Sequence, residues 1–174
     1  MTPVSSPASA FTRPRNWFSF GADFILAGLM GGPLAAPFLA AAPLPILPQI
    51  AAIIYFMGGH VCPQPEMGLE LWSPHLMAVC MRCYGTLLGL LVMRYLVGQN
   101  QGQGAYWLHQ YGVGGFVLTL LLCLVYPFEL YAQLWGWWDY NNIVVILFGL
   151  VSGLGLGAYI MPLLHRSSLA ESPE

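Results

Sequence analysis

"DFILAGLMGGPLAAPFLAAAPLPILPQIAAIIYFMGG", residues 23–59, carries one charge, Asp23, at its first position, and from Phe24 to Pro65 there is no Asp, Glu, Lys or Arg. A membrane-crossing helix needs about 20 apolar residues, within a range of about 17–25. This stretch is too long for one such helix. It also exceeds the apolar core of about 7–15 residues found in a secretory leader. Pro43, Pro45 and Pro48 interrupt it. The pattern predicts a helix over about 21–41, a proline turn, and a shorter helix over about 46–59. Because the second piece has a short apolar core, a re-entrant segment is its alternative.

Three further runs of spanning length follow: "LMAVCMRCYGTLLGLLVMRYLVG" (76–98), "YGVGGFVLTLLLCLVYPFELY" (111–131) and "NIVVILFGLVSGLGLGAYIMPLL" (142–164). Of the 174 residues, 57% are hydrophobic and 7% charged, against about 25% charged in soluble domains. Such a chain cannot cover a water-facing surface. None of the runs shows the alternation that barrel strands require, and lipid leaves only helices otherwise. The expected fold is an all-α polytopic transmembrane bundle of five spans, or four plus a re-entrant segment. Its expected divisions are a flexible tail over 1–20, one membrane domain over 21–164 with a Cys/His loop at 59–83, and a second tail over 165–174.

There is no lysine; the positive charges are Arg13, Arg15, Arg82, Arg94 and Arg166. A net charge of −2 lacks the clustered basic residues that nucleic acid demands. The expected partners are the lipid bilayer and other membrane proteins. Arg13 and Arg15 precede the first apolar run, which favours a cytoplasmic N-terminus. With five spans the 59–78 loop is cytoplasmic too; if residues 24–59 cross once, it lies outside. Trp135, Trp137, Trp138 and Tyr140 read as anchors at the headgroup layer. Gly149 and Gly153, with Ser152, Gly155 and Gly157 nearby, read as a close helix–helix contact.

The polar interruption "GGHVCPQPEMGLELWSPHLMAVCMRCYG", residues 58–85, holds three of the four cysteines and two of the four histidines. If the helix begins near residue 77, Cys80 and Cys83 share a face. The loop then brings His60, Cys62, Cys80 and Cys83 to one membrane surface. One imidazole and three thiolates form an established closed zinc set. A Cys80–Cys83 redox pair and inert buried thiols compete with that reading. His75 is a substitute for His60, although "SPH" reads as a turn. Arg82, between the two thiols, favours thiolate, and Glu66 and Glu70 are its nearest acidic partners in sequence. Cys123 reads as inert packing in an apolar helix. Glu129, an acid near membrane depth, sits near Gln133, Asn141 and Asn142, which suggests a polar cluster.

The segments "GHVCPQP", "AVCMRCYGTLLG", "YPFELYAQLWGWWDYNN" and "FGLVSGLGLG" resemble those of a family of bacterial and archaeal membrane proteins. It is called domain of unknown function two thousand and eighty-five. Its cysteine–histidine–glutamine cluster falls on His60, Cys62 and Gln64, and its C-x-R-C-x-G stretch on Cys80, Arg82, Cys83 and Gly85. Its proline-acid-glutamine segment falls on Pro127, Glu129 and Gln133, and its closing Asn and Gly residues on Asn141, Asn142, Gly149 and Gly153. The resemblance covers about residues 58–162. Glu129-Leu130 stands where the family has Asp-Gly, and an Arg-Ser pair expected after the glutamine is missing.

The leading functional expectation is a non-enzymatic membrane protein with a structural Zn²⁺ site, acting as an accessory or assembly factor. A quinone-linked thiol–disulfide oxidoreductase using Cys80 and Cys83 is the alternative, and a small-solute transporter the second. A bacterial inner membrane or a photosynthetic membrane is the expected setting.

Overall fold

The computed structural model describes residues 17–100 and 104–165. Five helices dominate: α1 (Trp17–Ala40), α2 (Ile46–Val61), α3 (Met81–Asn100), α4 (Gly112–Leu134) and α5 (Asn142–Leu164). Between α2 and α3 lies a two-stranded antiparallel hairpin, β1 (Glu70–Trp72) and β2 (His75–Leu76). A one-turn 3-10 helix, Leu108–Tyr111, leads into α4. The all-α membrane bundle expected from the sequence is the fold observed.

Three described stretches are long and apolar enough to cross a membrane: Trp17–Ala40, Leu108–Leu134 and Asn142–Leu164. α2, at 16 residues, is shorter than such a span. α3 has the length, at 20 residues, but Arg82, Arg94 and Gln99 dilute its apolar character. Much of α1, α4 and α5 leaves large hydrophobic side chains outward, Phe24, Leu121 and Leu147 among them. Outward apolar groups are stable where the surroundings are lipid.

α3 and α5 form the spine of the bundle. Contacts climb together along both, with Arg82 against Gly149, Thr86 against Gly153 and Met93 against Gly157, so the two helices run parallel. Small residues make this approach possible. A methyl group on Gly153 would lie 2.1 Å from the Thr86 carbonyl oxygen, and one on Gly89 would lie 2.6 Å from the Leu150 oxygen. The expected small-residue contact of Gly149 and Gly153 is present, with Gly85 and Gly89 as its counterpart on α3. α4 returns antiparallel, placing Leu122 over Gly155. At one end Ser19 Oγ donates to the Leu164 carbonyl across 3.3 Å, so the start of α1 meets the end of α5. At the other end Tyr140 OH donates to the Met67 carbonyl, 3.1 Å away.

Helix α3 starts at Met81, not near residue 77 as the apolar run suggested. The reason is visible in the backbone partners of residues 76–80. Tyr55 OH donates to the Leu76 carbonyl (2.7 Å), and the Met77 N–H goes to the Leu69 carbonyl (2.9 Å). Pro37 has no N–H, so the helix leaves the carbonyl of Pro33 without its usual donor; Ala78 N–H points at that oxygen from 3.5 Å. Gly58 admits this segment, since a methyl group there would stand 2.2 Å from the Ala78 oxygen. Residues 77–80 are all buried, threaded between α1 and α2.

Candidate metal centre

The threaded segment delivers Cys80 to the last residue before α3, and its backbone N–H donates to the Cys62 sulfur across 3.2 Å. Cys62 caps the end of α2. Cys83 follows in the first turn of α3, its sulfur 3.7 Å from that of Cys80. The three sulfurs all lie within 4.8 Å of one another, and Cys62 and Cys80 are buried. Two sulfurs bound to one tetrahedral zinc at about 2.3 Å each would be about 3.8 Å apart. The Cys80–Cys83 spacing matches that value. All four cysteines are free thiols.

Hydrogen bonding from the Cys80 thiol, then from Cys83, holds the Cys62 thiol far below its ordinary pKa, against the opposing effect of burial. The same bond to Cys62 pushes the Cys80 thiol upward. Cys62 is thus the preferred thiolate, with its neighbours as donors, because adjacent thiolates repel. A soft cation would replace those protons as the shared counter-charge.

Of the four expected ligands, His60 stands apart from the three sulfurs. It is exposed on the last turn of α2, where a ring nitrogen stands 2.7 Å from the Phe56 carbonyl and the ring stacks near Phe56. Helical geometry turns it away from Cys62, two residues later. His75 lies in β2 and is likewise outside the thiol group. Cys123 sits in α4, apart from the cluster.

Arg82 does not pair with the exposed Glu66 and Glu70. Its side chain and that of Glu129 are both wholly buried and ion-paired through Nε. Nη1 donates to Gln64 Oε1 (2.9 Å) and Nη2 to Gln133 Oε1 (2.8 Å). Trp138 Nε1 donates weakly to the other Glu129 oxygen, at 3.4 Å. Each guanidinium nitrogen therefore has an acceptor, the condition under which a buried charge is tolerable. Glu129 is the counter-ion of Arg82. Of the expected polar cluster, Gln133 joins through Arg82. Asn141 instead caps α5, its side chain accepting from Ile143 N–H at 2.9 Å, and Asn142 is exposed in the first turn.

Two further features carried no signal in the loop. Tyr126 OH lies 3.1 Å from the Cys83 sulfur, and its ring lies 5.7 Å from the Arg82 guanidinium carbon. Spacing betrays it only in retrospect: Tyr126, Glu129 and Gln133 repeat at the helical interval that shares one face. The second is an ion pair at the opposite end of α3. Arg94 there holds Asp23 of α1 through Nε and Nη2, the latter at 2.6 Å. His165 Nε2 stands 3.3 Å from the same carboxylate.

These features define a polytopic α-helical membrane protein with a buried thiol cluster beside a buried arginine hub. Residues 71–159 match the family model described as predicted membrane protein (DUF2085). The chain belongs to that family. The matched span includes Cys80, Arg82, Cys83, Tyr126, Glu129, Gln133 and both asparagines, while Cys62 and Gln64 lie ahead of it. No curated protein and no solved structure matches the chain.

Proposed function

We propose that Cys62, Cys80 and Cys83 hold one Zn²⁺ ion and that the chain works as a metal-stabilised accessory or assembly factor within its membrane. The observation that carries this reading is the convergence of three sulfurs from two helix ends and a threaded segment. Three thiolates favour zinc over hard cations. A fourth tetrahedral position remains for water or for a donor brought by a partner protein, which suits an accessory role. Elemental analysis of detergent-purified protein is expected to give about one zinc per chain, falling to background when Cys80 and Cys83 become serine. Protons compete for thiolate, so the ion should be released as the pH is lowered. Wild-type protein carrying no metal, with three titratable thiols, would remove this reading.

A second reading has its own support. Cys80 and Cys83 flank the first turn of a helix with adjacent sulfurs, the arrangement of a redox pair. In that case a quinone would accept the two electrons released as Cys80 and Cys83 form a disulfide, with their two protons passing to the quinol. Recovery of a metal-free Cys80–Cys83 disulfide from the membrane would select it over zinc.

The meeting of Ser19 with Leu164 supports four crossings, with α2 as a re-entrant helix, over five. Arg13 and Arg15 precede α1 and Arg166 follows His165 in the sequence. The bias of arginine toward the cytoplasm favours that side for this end. The thiols then face the opposite compartment. Ser73, exposed at the hairpin turn, offers the test. A Ser73→Cys variant should take up a membrane-impermeant maleimide, above the wild-type background, in right-side-out vesicles. Labelling confined to inverted vesicles would reverse the assignment.

A further inference from the structure

The Asp23–Arg94 pair has no role in the thiol centre, yet it is not sealed. Its side chains keep 39% and 27% of their exposure, on the wall of a cavity of about 530 Å³. Leu26 and Leu91 form the apolar part of that wall, and Gly98 its bare floor. Asp23 occupies Nε and Nη2 of the guanidinium. Nη1 has no partner among the described residues, and it stands 3.7 Å from where a side chain on Gly98 would begin. A charged donor is therefore presented over a glycine, in a cavity whose wall is partly hydrocarbon. Tyr95 and Gln99 contribute a hydroxyl and an amide at the rim, bonded to each other at 2.6 Å.

Exposed aromatics mark the level of this cavity. Trp17, Tyr95, Tyr106 and Tyr111 all lie at this end of the bundle and face outward, as aromatic side chains do at the headgroup layer. Arg94 lies at this end, and in the sequence Arg13 and Arg15 precede α1 while Arg166 follows His165. An anionic group is favoured there.

We propose that this cavity is a phospholipid site. The phosphodiester accepts from Arg94 Nη1, with Gln99 and Tyr95 at its edge, and an acyl chain lies along Leu26 and Leu91. The paired Asp23 fixes the guanidinium plane and leaves one face of its fork for the ligand. Glycine at position 98 is what keeps the phosphate within reach.

The test uses the full chain, delipidated in detergent and titrated with phosphatidylglycerol, with bound lipid read by native mass spectrometry. Wild type should retain one phosphatidylglycerol. It should show no comparable retention of diacylglycerol, which lacks the phosphate. Gly98→Leu fills the floor beside Nη1 while leaving Nε and Nη2 on Asp23, and should weaken retention by about tenfold or more, the effect of losing one charged hydrogen bond. Leu91→Trp, on an outward wall position, serves as the second variant should Gly98→Leu fail to fold. Equal retention by wild type and the folded variants would overturn the proposal. Equal retention of diacylglycerol would do so as well, by showing an apolar groove alone. Displacement by millimolar inorganic phosphate would overturn the lipid assignment in favour of a free-anion site.

Discussion

Arg82→Ala is expected to destabilise the protein by about 3–5 kcal/mol, because it strands the buried Glu129 carboxylate without its counter-ion. The loss should be larger than the sum of ordinary hydrogen bonds, since Gln64 and Gln133 also lose their donor. Glu129→Ala should fall in the same range, leaving a buried guanidinium with only two amides. The double variant Arg82→Met, Glu129→Leu should recover a sizeable part of the loss, as replacement of a buried pair by apolar groups often does. Unfolding in mixed detergent, followed by far-ultraviolet circular dichroism, would measure all three. Single variants that lie within about 1 kcal/mol of wild type would show that the pair is solvated and that the bundle tolerates its absence.

Gly153→Val should be comparably severe. Its first added carbon would fall 2.1 Å from the backbone oxygen of Thr86 and 2.8 Å from the carbonyl carbon, where no side-chain rotation relieves the overlap. Overpacking of a core costs about 1–3 kcal/mol when side chains can yield. Here two helix backbones must separate, so about 3 kcal/mol or more is expected, with loss of the α3–α5 register. Gly28 is the contrasting control on α1: nothing lies within 4 Å of a carbon added there. Gly28→Ala should therefore be neutral within about 0.5 kcal/mol, or stabilising through helix propensity. The same unfolding assay separates the two glycines, and equal effects at both positions would refute the tight parallel spine.

The apolar runs made the helices legible because lipid leaves one local solution for a long uncharged segment. The end of α5 at Leu164 and the break between α1 and α2 at Pro43 and Pro45 follow directly from that pattern. Position 77 did not, because the residues from Leu76 to Cys80 look as apolar as the helix they precede. Their backbone donors and acceptors go to Leu69, Pro33, Tyr55 and Cys62, and no local pattern encodes such distant partners. Cys62, Cys80 and Cys83 could be grouped by residue type and loop length. His60 was grouped with them for the same reasons, and only the turn of α2 separates it. The counter-ion of Arg82 was sought within the loop, at Glu66 and Glu70, whereas the bundle supplies Glu129 from 47 residues away. Pairs such as Asp23 with Arg94, 71 residues apart, depend on which helices become neighbours.

The proline at position 37 acts at a distance from its own helix. By freeing the Pro33 carbonyl, it gives the segment before Cys80 a place to dock, and Gly58 of α2 closes over that segment. Cys62 arrives from the end of α2, Cys83 from α3, and Tyr126 from α4. The thiol group is thus a coincidence of four helices, in which sequence proximity alone brings together only Cys80 and Cys83. In small zinc domains the ion nucleates folding; an ion bound as proposed here would meet a complete set of sulfurs only where α1 and α2 enclose the segment before Cys80. A chain arrested before that closure would offer Cys80 and Cys83 without Cys62, so occupancy of the centre would report completed assembly.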